Sequence, residues 1–229
     1  MKIHETIIKR FLQTAAVIIL GAGIFYYSTT IKEEYSDPAE ELEEAYDAIS
    51  KVFYEWYFDI GTSLPAGETP DYSRYSLYDV VEKGDIIFEE VGGFAVTGHI
   101  AIVEGKFCDE ETGINYIRVI EAKNVGVVRS CLDDTRADDK IVTVLRVKGV
   151  TKEQIDGAVD FCISQLGKPY VCDLGKDFSP YQDDWYCSEL AWAAYYNQGI
   201  DIECQAEGEP GVSPRDIRES EKTFEVFYK

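Results

Sequence analysis

The chain begins with an apolar stretch of membrane character. Residues 11–27 (FLQTAAVIILGAGIFYY) follow three basic residues, Lys2, Lys9 and Arg10, and precede an acid-rich segment. These flanking charges match the positive-inside pattern, with the rest of the chain exported, although the run is at the short limit for a membrane span. Because it offers no clear small-residue cleavage site, residues 1–30 are predicted to form an uncleaved membrane helix, with a cleaved signal as the alternative.

A second apolar pattern has helical spacing. The apolar positions recur three and four residues apart at Leu42, Ala45, Ile49, Val52, Phe53 and Trp56. The acid, proline and glutamate at Asp37, Pro38 and Glu40 are typical of a helix start. Residues 31–60 are therefore predicted to form an amphipathic helix. Residues 61–76, which are rich in Gly, Pro and Ser, are predicted to link it to a domain over residues 77–229.

Short β-branched runs bounded by turn residues dominate the first part of that domain. The runs are GDIIFEEV (84–91), GHIAIVEG (98–105), INYIRVIEA (114–122), VGVVRSCL (125–132) and IVTVLRV (141–147). A helix capped by Thr151 and Gln154, a loop over residues 167–184, a helix that carries Cys187 in its first turn and closes at Gly199, and a last strand then follow. Strands followed by helices predict an α+β fold, with an antiparallel sheet or small barrel packed on helices.

Composition and charge exclude several functional classes. Hydrophobic residues make up 45% of the chain, which is enough for a packed core, and the formal net charge is −21. This charge argues against nucleic-acid binding, which needs clustered Lys and Arg. No P-loop, dinucleotide fingerprint or G-x-S-x-G motif is present, so no cofactor is predicted. The six cysteines form no C-x-x-C pair and the exported part has one histidine, so no metal site is predicted either.

The candidate chemistry is carried by the stretch DDWYCSEL. An N-cap at Asp184 would place Cys187 in the first turn of the following alanine-rich helix. There, free N–H groups and the helix dipole lower the pKa of a thiol from about 8.5 toward neutrality. The alternative is a buried structural cysteine.

A cysteine nucleophile needs a base, and elimination leaves one histidine. His4 lies on the cytoplasmic side of the predicted membrane helix, so the candidate is His99, at the start of a strand. Glu121, which ends an apolar strand, is the candidate for the group that orients the imidazole, with Glu104 and Glu189 as weaker rivals. The alternatives are a structural histidine and a surface glutamate.

Acidic and aromatic residues surround Cys187 in the sequence. They are Asp173, Asp177, Asp183, Asp184, Glu189, Tyr170, Tyr181, Trp185 and Tyr186. Such a surface suits a substrate that carries an amine, because charge and cation–π attraction act together. If the acids instead form a solvated loop away from the thiol, this preference disappears.

Five motifs in a fixed order resemble a known enzyme family. They are Gly-Asp-Ile-Ile, Gly-His-Ile-Ala-Ile-Val, Val-Ile-Glu-Ala, Gly-Lys-Pro-Tyr and Trp-Tyr-Cys-Ser-Glu-Leu. The set is similar to that of the circularly permuted papain-fold cysteine enzymes, the YiiX-like branch of the NlpC superfamily, which are related to lecithin:retinol acyltransferase. The resemblance implies a permuted papain-like fold, with Cys187 as nucleophile, His99 as base and Glu121 as the orienting residue.

The resemblance implies acyl transfer through a thioester. Tyr170 and Tyr186 are the candidates for residues near the substrate or its oxyanion, and the alternative for Tyr170 is a core tyrosine. With the predicted membrane helix, it indicates an extracytoplasmic, membrane-anchored cysteine amidase or peptidase, or a secreted one if residues 1–30 are cleaved. The substrate would be a small amide or peptide, with cell-wall peptide as a candidate. A lipid-directed acyltransferase or thioesterase and a catalytically silent binding module are the alternatives.

Overall fold

The computed structural model of the chain describes residues 64, 69–90, 98–138, 140–204 and 210–229. All of these residues belong to one compact unit, Lys51–Lys229. The predicted membrane helix (1–30), the predicted amphipathic helix (31–60) and most of the predicted linker lie outside the described residues, so these boundaries stay predictions. Within the described ranges, no helix combines the length and the apolar character needed to cross a membrane.

Strands and helices occur in the predicted order. The strands are β1 (Ile86–Glu90), β2 (Gly98–Cys108), β3 (Asn115–Lys123), β4 (Gly126–Leu132), β5 (Val142–Val147) and β6 (Thr223–Tyr228). The α-helices are α1 (Leu77–Val80), α2 (Lys152–Ser164), α3 (Cys187–Tyr196) and α4 (Pro214–Arg218), and a 3-10 helix covers Asp134–Ala137. The prediction missed α1, α4 and the 3-10 helix, because a helix of four or five residues is too short to show a periodic pattern.

The six strands form one antiparallel sheet. Their order is β4-β3-β2-β1-β5-β6, so β2 and β1 lie at its centre. Within the described strands no pairing joins β4 to β6, and the sheet is therefore open. Of the two predicted forms, sheet and small barrel, the structure has the sheet.

Both faces of this sheet are buried. On β2, Ile100 and Ile102 pack against α2 and α3, whereas Ala101 and Val103 pack on the opposite face against α1. This alternation is the two-residue period of a strand that is covered on both sides. The nearly continuous apolar runs of the sequence follow from this double burial.

The two long helices pack on one face of the sheet. At the start of α2 the Thr151 hydroxyl accepts the Gln154 N–H at 3.2 Å, and the Gln154 side chain accepts the Thr151 N–H at 3.0 Å, which confirms the predicted cap. In α3, every residue from Cys187 to Tyr195 is buried. Its alanines let the helix approach β2 and β3 closely, so the start of α3 is held against the sheet.

The loop before α3 is attached to the start of β4. Val127 N–H donates to Lys168 O at 2.9 Å, and Gly167 N–H donates to Val127 O at 2.8 Å. Gly126, directly before Val127, has a φ of 108, and a Cβ at this position would come within 2.7 Å of Lys168 O. These contacts fix the position of Tyr170, two residues after Lys168.

We expect Gly126→Ala to destabilise the fold more than Gly113→Ala. Both glycines have positive φ, but nothing lies within 4 Å of the Cβ position at Gly113 (φ +71). Gly113→Ala should therefore lower the free energy of unfolding by about 1 kcal/mol through backbone strain alone. Gly126→Ala should lower it by at least about 2 kcal/mol more, because Lys168 must move. Urea unfolding of the full chain measures the difference, and equal losses would contradict the expected clash.

Candidate active site

Cys187 lies in the first turn of α3, as predicted, but it is the first helical residue, so the cap of this helix differs from the prediction. The N-cap residue is Tyr186, not Asp184, and its side chain makes no capping hydrogen bond. Instead, the carboxylate of Glu189 accepts the backbone N–H of Tyr186, as the third helical residue does in a capping box. The thiol thus lies in the first turn of α3, where free N–H groups favour its thiolate.

His99 is the main partner of the Cys187 thiol. The imidazole lies close enough to the sulfur to act on its charge, as do the backbone N–H of Ile100 and the Ser188 side chain. Burial opposes ionisation of the thiol. The hydrogen bond and charge of His99 outweigh burial and lower the pKa of Cys187 below its ordinary value. Proximity to the predicted base is therefore what makes this buried thiol acidic.

The imidazole of His99 connects Cys187 to Glu121. His99 Nε2 lies 2.5 Å from Glu121 Oε2, so Nδ1 is the ring nitrogen that remains for Cys187. Burial lowers the pKa of His99, but the hydrogen bonds and charges of Cys187 and Glu121 raise it to about 9. At neutral pH the His99 ring is therefore protonated, and it lies between a thiol of lowered pKa and the Glu121 carboxylate.

Glu121 is a fully buried carboxylate with two cations beside it. Arg136 Nη2 donates to Oε2 at 2.8 Å, and Lys123 Nζ forms an ion pair with Oε1 at 2.6 Å. Burial alone would raise the pKa of Glu121, but Arg136, His99 and Lys123 hold it well below its usual range. Glu121 is thus ionised and can fix the orientation of the His99 ring.

The two rival carboxylates are bound elsewhere. Glu104 accepts hydrogen bonds from Arg118 at 2.7 Å and from Arg129 at 2.8 Å inside the sheet. Glu189 accepts the Asp177 N–H at 2.9 Å, and burial raises its pKa to about 7. Glu104 therefore serves the packing of the sheet and Glu189 serves the loop before α3. Glu121 is the carboxylate at His99.

Tyr170 lies at a pocket of about 400 Å³ beside the imidazole. The pocket is lined by His99, Ala122, Lys123, Asn124, Val125 and Tyr170. Burial is the main cause that raises the pKa of Tyr170 to about 12, and the charge of nearby Cys187 adds to it. The Tyr170 hydroxyl therefore stays protonated and can donate a hydrogen bond. Its predicted role at the substrate or its oxyanion stays a prediction.

The hydroxyl of Tyr186 is held by the main chain of two segments. It donates to Gly175 O at 2.6 Å and accepts the Val212 N–H at 2.9 Å. Tyr186 therefore ties the loop before α3 to the segment at Val212. Its predicted place near the substrate or its oxyanion stays a prediction.

The acids near Cys187 in sequence shape the loop. Asp173 Oδ1 accepts the Gly175 N–H at 2.7 Å, and Asp177 Oδ1 accepts the Ser179 N–H at 2.8 Å. None of the acids near Cys187 in sequence belongs to the pocket lining, which carries the cation Lys123 instead. The geometry therefore gives no support to an amine-binding surface.

Arg136 and Lys123 were missed by the sequence analysis. Arg136 lies in the 3-10 helix between β4 and β5, a segment without a periodic pattern. The only signal available was indirect, since a buried carboxylate such as Glu121 requires a positive partner. That requirement does not say which of the 22 Lys and Arg residues supplies it.

All six cysteines are free thiols in the structure. Burial raises the pKa of Cys162 far above that of Cys187, which makes it the natural unreactive reference. Within the described residues, no group of three or more His, Cys, Asp or Glu side chains is placed to hold a metal ion.

Comparisons with known proteins find one matching family. A family model described as permuted papain-like amidase enzyme, YaeF/YiiX, C92 family, matches residues 80–207, which include His99, Glu121 and Cys187. The crystal structure of metalloprotein yiiX from Escherichia coli O157:H7 is similar, with 19% identity and a TM-score of 0.46. That match covers 66% of this chain and 98% of that chain. A comparison with curated proteins gives no match.

The paired pKa shifts predict unusual reactivity of Cys187. Because the pKa of Cys187 is lowered and that of His99 is raised to about 9, the thiolate should persist at pH values where a free thiol is protonated. In His99→Ala, burial should raise the pKa of Cys187, so alkylation by iodoacetamide at pH 6 should slow about tenfold or more. Mass mapping between pH 5 and 9 measures each peptide, with exposed Cys108 and buried Cys162 as internal references. Identical Cys187 profiles in both proteins would contradict the ion pair.

Proposed function

The chain belongs to the family of permuted papain-like amidases, and from this premise we propose that it cleaves an amide bond through a thioester on Cys187. The observation that carries the proposal is the line of side chains from Cys187 through His99 to Glu121, in which His99 is hydrogen-bonded to Glu121 and lowers the pKa of Cys187, beside an open pocket. A catalytically silent binding module would not need an acidic thiol and a protonated imidazole at that position.

The proposed reaction starts from the ion pair. The Cys187 thiolate attacks the amide carbonyl carbon, a C–S bond forms, and the carbonyl electrons move to oxygen. The His99 imidazolium gives its Nδ1 proton to the leaving nitrogen, and the C–N bond breaks to release the amine. His99, now neutral, takes a proton from water, which attacks the thioester. The acid leaves and the thiolate–imidazolium pair returns.

The developing oxyanion would be stabilised at the start of α3. The backbone N–H of Cys187 is one of the first-turn donors that have no partner inside a helix, and the helix dipole adds to its effect. Tyr170, with a protonated hydroxyl next to the thiol, would supply the second donor. Glu121 acts through His99 and keeps the ring in the orientation that faces Cys187.

The proposed substrate is a small amide or peptide, and cell-wall peptide remains a candidate. A pocket of about 400 Å³ beside His99 is large enough for a short peptide segment. We place the enzyme outside the cytoplasm, anchored in the membrane, or secreted if residues 1–30 are removed. This location rests on the basic residues before the apolar run 11–27 and the acids after it.

A lipid-directed acyltransferase or thioesterase is the second candidate. One observation favours it: Val125, at the tip of the β3–β4 turn, is 78% exposed and lines the pocket. An apolar rim can hold an acyl chain as well as an apolar side chain. The same thioester would then be released to an acceptor other than water.

The proposed roles predict a graded loss of activity. The full chain is incubated with cell-wall fragments, short peptide amides and acylated lipids, and products are identified by mass spectrometry. Cys187→Ala should abolish turnover, His99→Ala should lower kcat/KM by about 1000-fold, and Glu121→Gln by about 10- to 100-fold. Cys108→Ser, which removes an exposed thiol, is the control. Release of lipid products alone would favour the second candidate, and full activity of Cys187→Ala would overturn both.

Tyr170 has its own test. If its hydroxyl donates to the oxyanion, Tyr170→Phe should lower kcat about 10- to 100-fold while KM changes little. Tyr181→Phe removes a hydroxyl from the same loop, at a side chain that is 89% exposed, and is the matched control. A change in KM alone would assign Tyr170 to substrate binding.

A further inference from the structure

Five charged side chains of alternating sign form a row across one face of the sheet. Lys140 Nζ contacts Glu89 Oε2, and Arg136 Nε lies 2.8 Å from Glu89 Oε1. Arg136 Nη2 donates to Glu121 Oε2 at 2.8 Å, and Lys123 Nζ lies 2.6 Å from Glu121 Oε1. The guanidinium of Arg136 thus lies between two carboxylates and contacts both.

His99 has a carboxylate on each neighbouring strand. Glu89 of β1 is its direct cross-strand partner in the β1–β2 register. Glu121 of β3 holds Nε2 from the other side. Side chains of a directly opposed pair approach within about 5 Å at their Cβ atoms, so Glu89 is close enough to compete for the ring. In the structure His99 pairs with Glu121 through Nε2, and its Nδ1 therefore remains available to Cys187.

We propose that Arg136 is a positioning residue, which assigns Glu121 rather than Glu89 to His99 by holding both carboxylates on one guanidinium. The inference rests on the proposed function for the role of Cys187. The rigid fork of arginine holds Nε and Nη2 in a fixed relation, and here Nε lies 2.8 Å from Glu89 Oε1 while Nη2 donates to Glu121 Oε2. A lysine has one charged nitrogen and cannot hold both carboxylates in this way.

Loss of Arg136 would leave two buried carboxylates with too little positive charge. The side chains of Glu89 and Glu121 are 2% and 0% exposed. Lys140 and Lys123 would each remain at one acid, and Tyr170 is the further titratable group on the pocket side of Cys187. Glu89 would then be free to bind His99 and turn the ring away from the thiol. The added negative charge would also disfavour the thiolate.

The first part of the test is the pH profile of Cys187 alkylation by iodoacetamide, which needs no substrate. In full-length Arg136→Gln the profile should move to higher pH by about one unit, the lower end of the effect of a neighbouring charge. Arg74→Gln is the matched control, since Arg74 pairs with Asp138 at the end of the same 3-10 helix but does not contact either glutamate. An unchanged profile in a folded Arg136→Gln protein would refute the proposal.

The second part separates positioning from a structural role. In Arg136→Gln/Glu89→Gln the competing carboxylate is gone, so the alkylation profile should return toward that of the wild type. If Arg136 only anchors the 3-10 helix, the double variant should react no better than the single one, and that result would contradict the proposal.

The third part covers failure of Arg136→Gln to fold. Arg136→Lys keeps the charge but loses the fork, and an intermediate shift is expected. A wild-type profile in Arg136→Lys would show that charge alone is enough, against the proposal.

Amide hydrolysis is assayed in parallel with the same proteins. A wild-type chain without hydrolysis, but with the expected alkylation shifts, would defeat the proposed function and leave the role of Arg136 standing.

Discussion

The negative charge of Glu121 is the feature on which the other groups of the site depend. A carboxylate with no exposure to solvent loses several kcal/mol of hydration free energy, and it stays ionised only if fixed positive charges and hydrogen bonds replace water. At Glu121 the side chains of Arg136, Lys123 and His99 take the place of water. The ionised Glu121 stabilises the imidazolium of His99, and the imidazolium in turn stabilises the thiolate of Cys187. Each charge in the line therefore requires the one before it.

The fold supplies these charges from elements that are distant in sequence. β2 and β3 are neighbours, so His99 and Glu121 meet across one strand boundary. The small residues of α3 allow its first turn to reach the start of β2, where Cys187 meets His99. The 3-10 helix carries Arg136 back to the same sheet after β4. Glu121 and Cys187 are buried, so the electrostatic interactions at these two ends of the line stay strong.

The parts of this arrangement that could be predicted from the sequence have local causes. Strand alternation and the Thr151 cap depend only on residues that are close in sequence. Cys187 was predicted from the signals of a helix start, and His99 was predicted by elimination. The contacts that were not predicted have non-local causes. Arg136 reaches Glu121 across 15 positions. The Tyr186 hydroxyl binds Gly175 O and the Val212 N–H, which are 11 and 26 positions away. Nothing in the spacing of residues shows which groups tertiary contacts will bring together.

In the proposed reaction, substrate selection and chemistry are carried by different parts of the molecule. Cys187, His99 and Glu121 lie on α3, β2 and β3, which are rigid elements of the core, whereas the pocket wall is formed by the β3–β4 turn and by the loop that holds Tyr170. The overall charge of −21 does not decide what the pocket accepts, because its lining contains Lys123 and no carboxylate. Exposed residues of the turn, such as Asn124 and Val125, can change without disturbing the line from Cys187 to Glu121. Lys123 is the exception, since it lines the pocket and also pairs with Glu121. A substrate group that draws on the Lys123 charge would therefore alter the field at His99 directly.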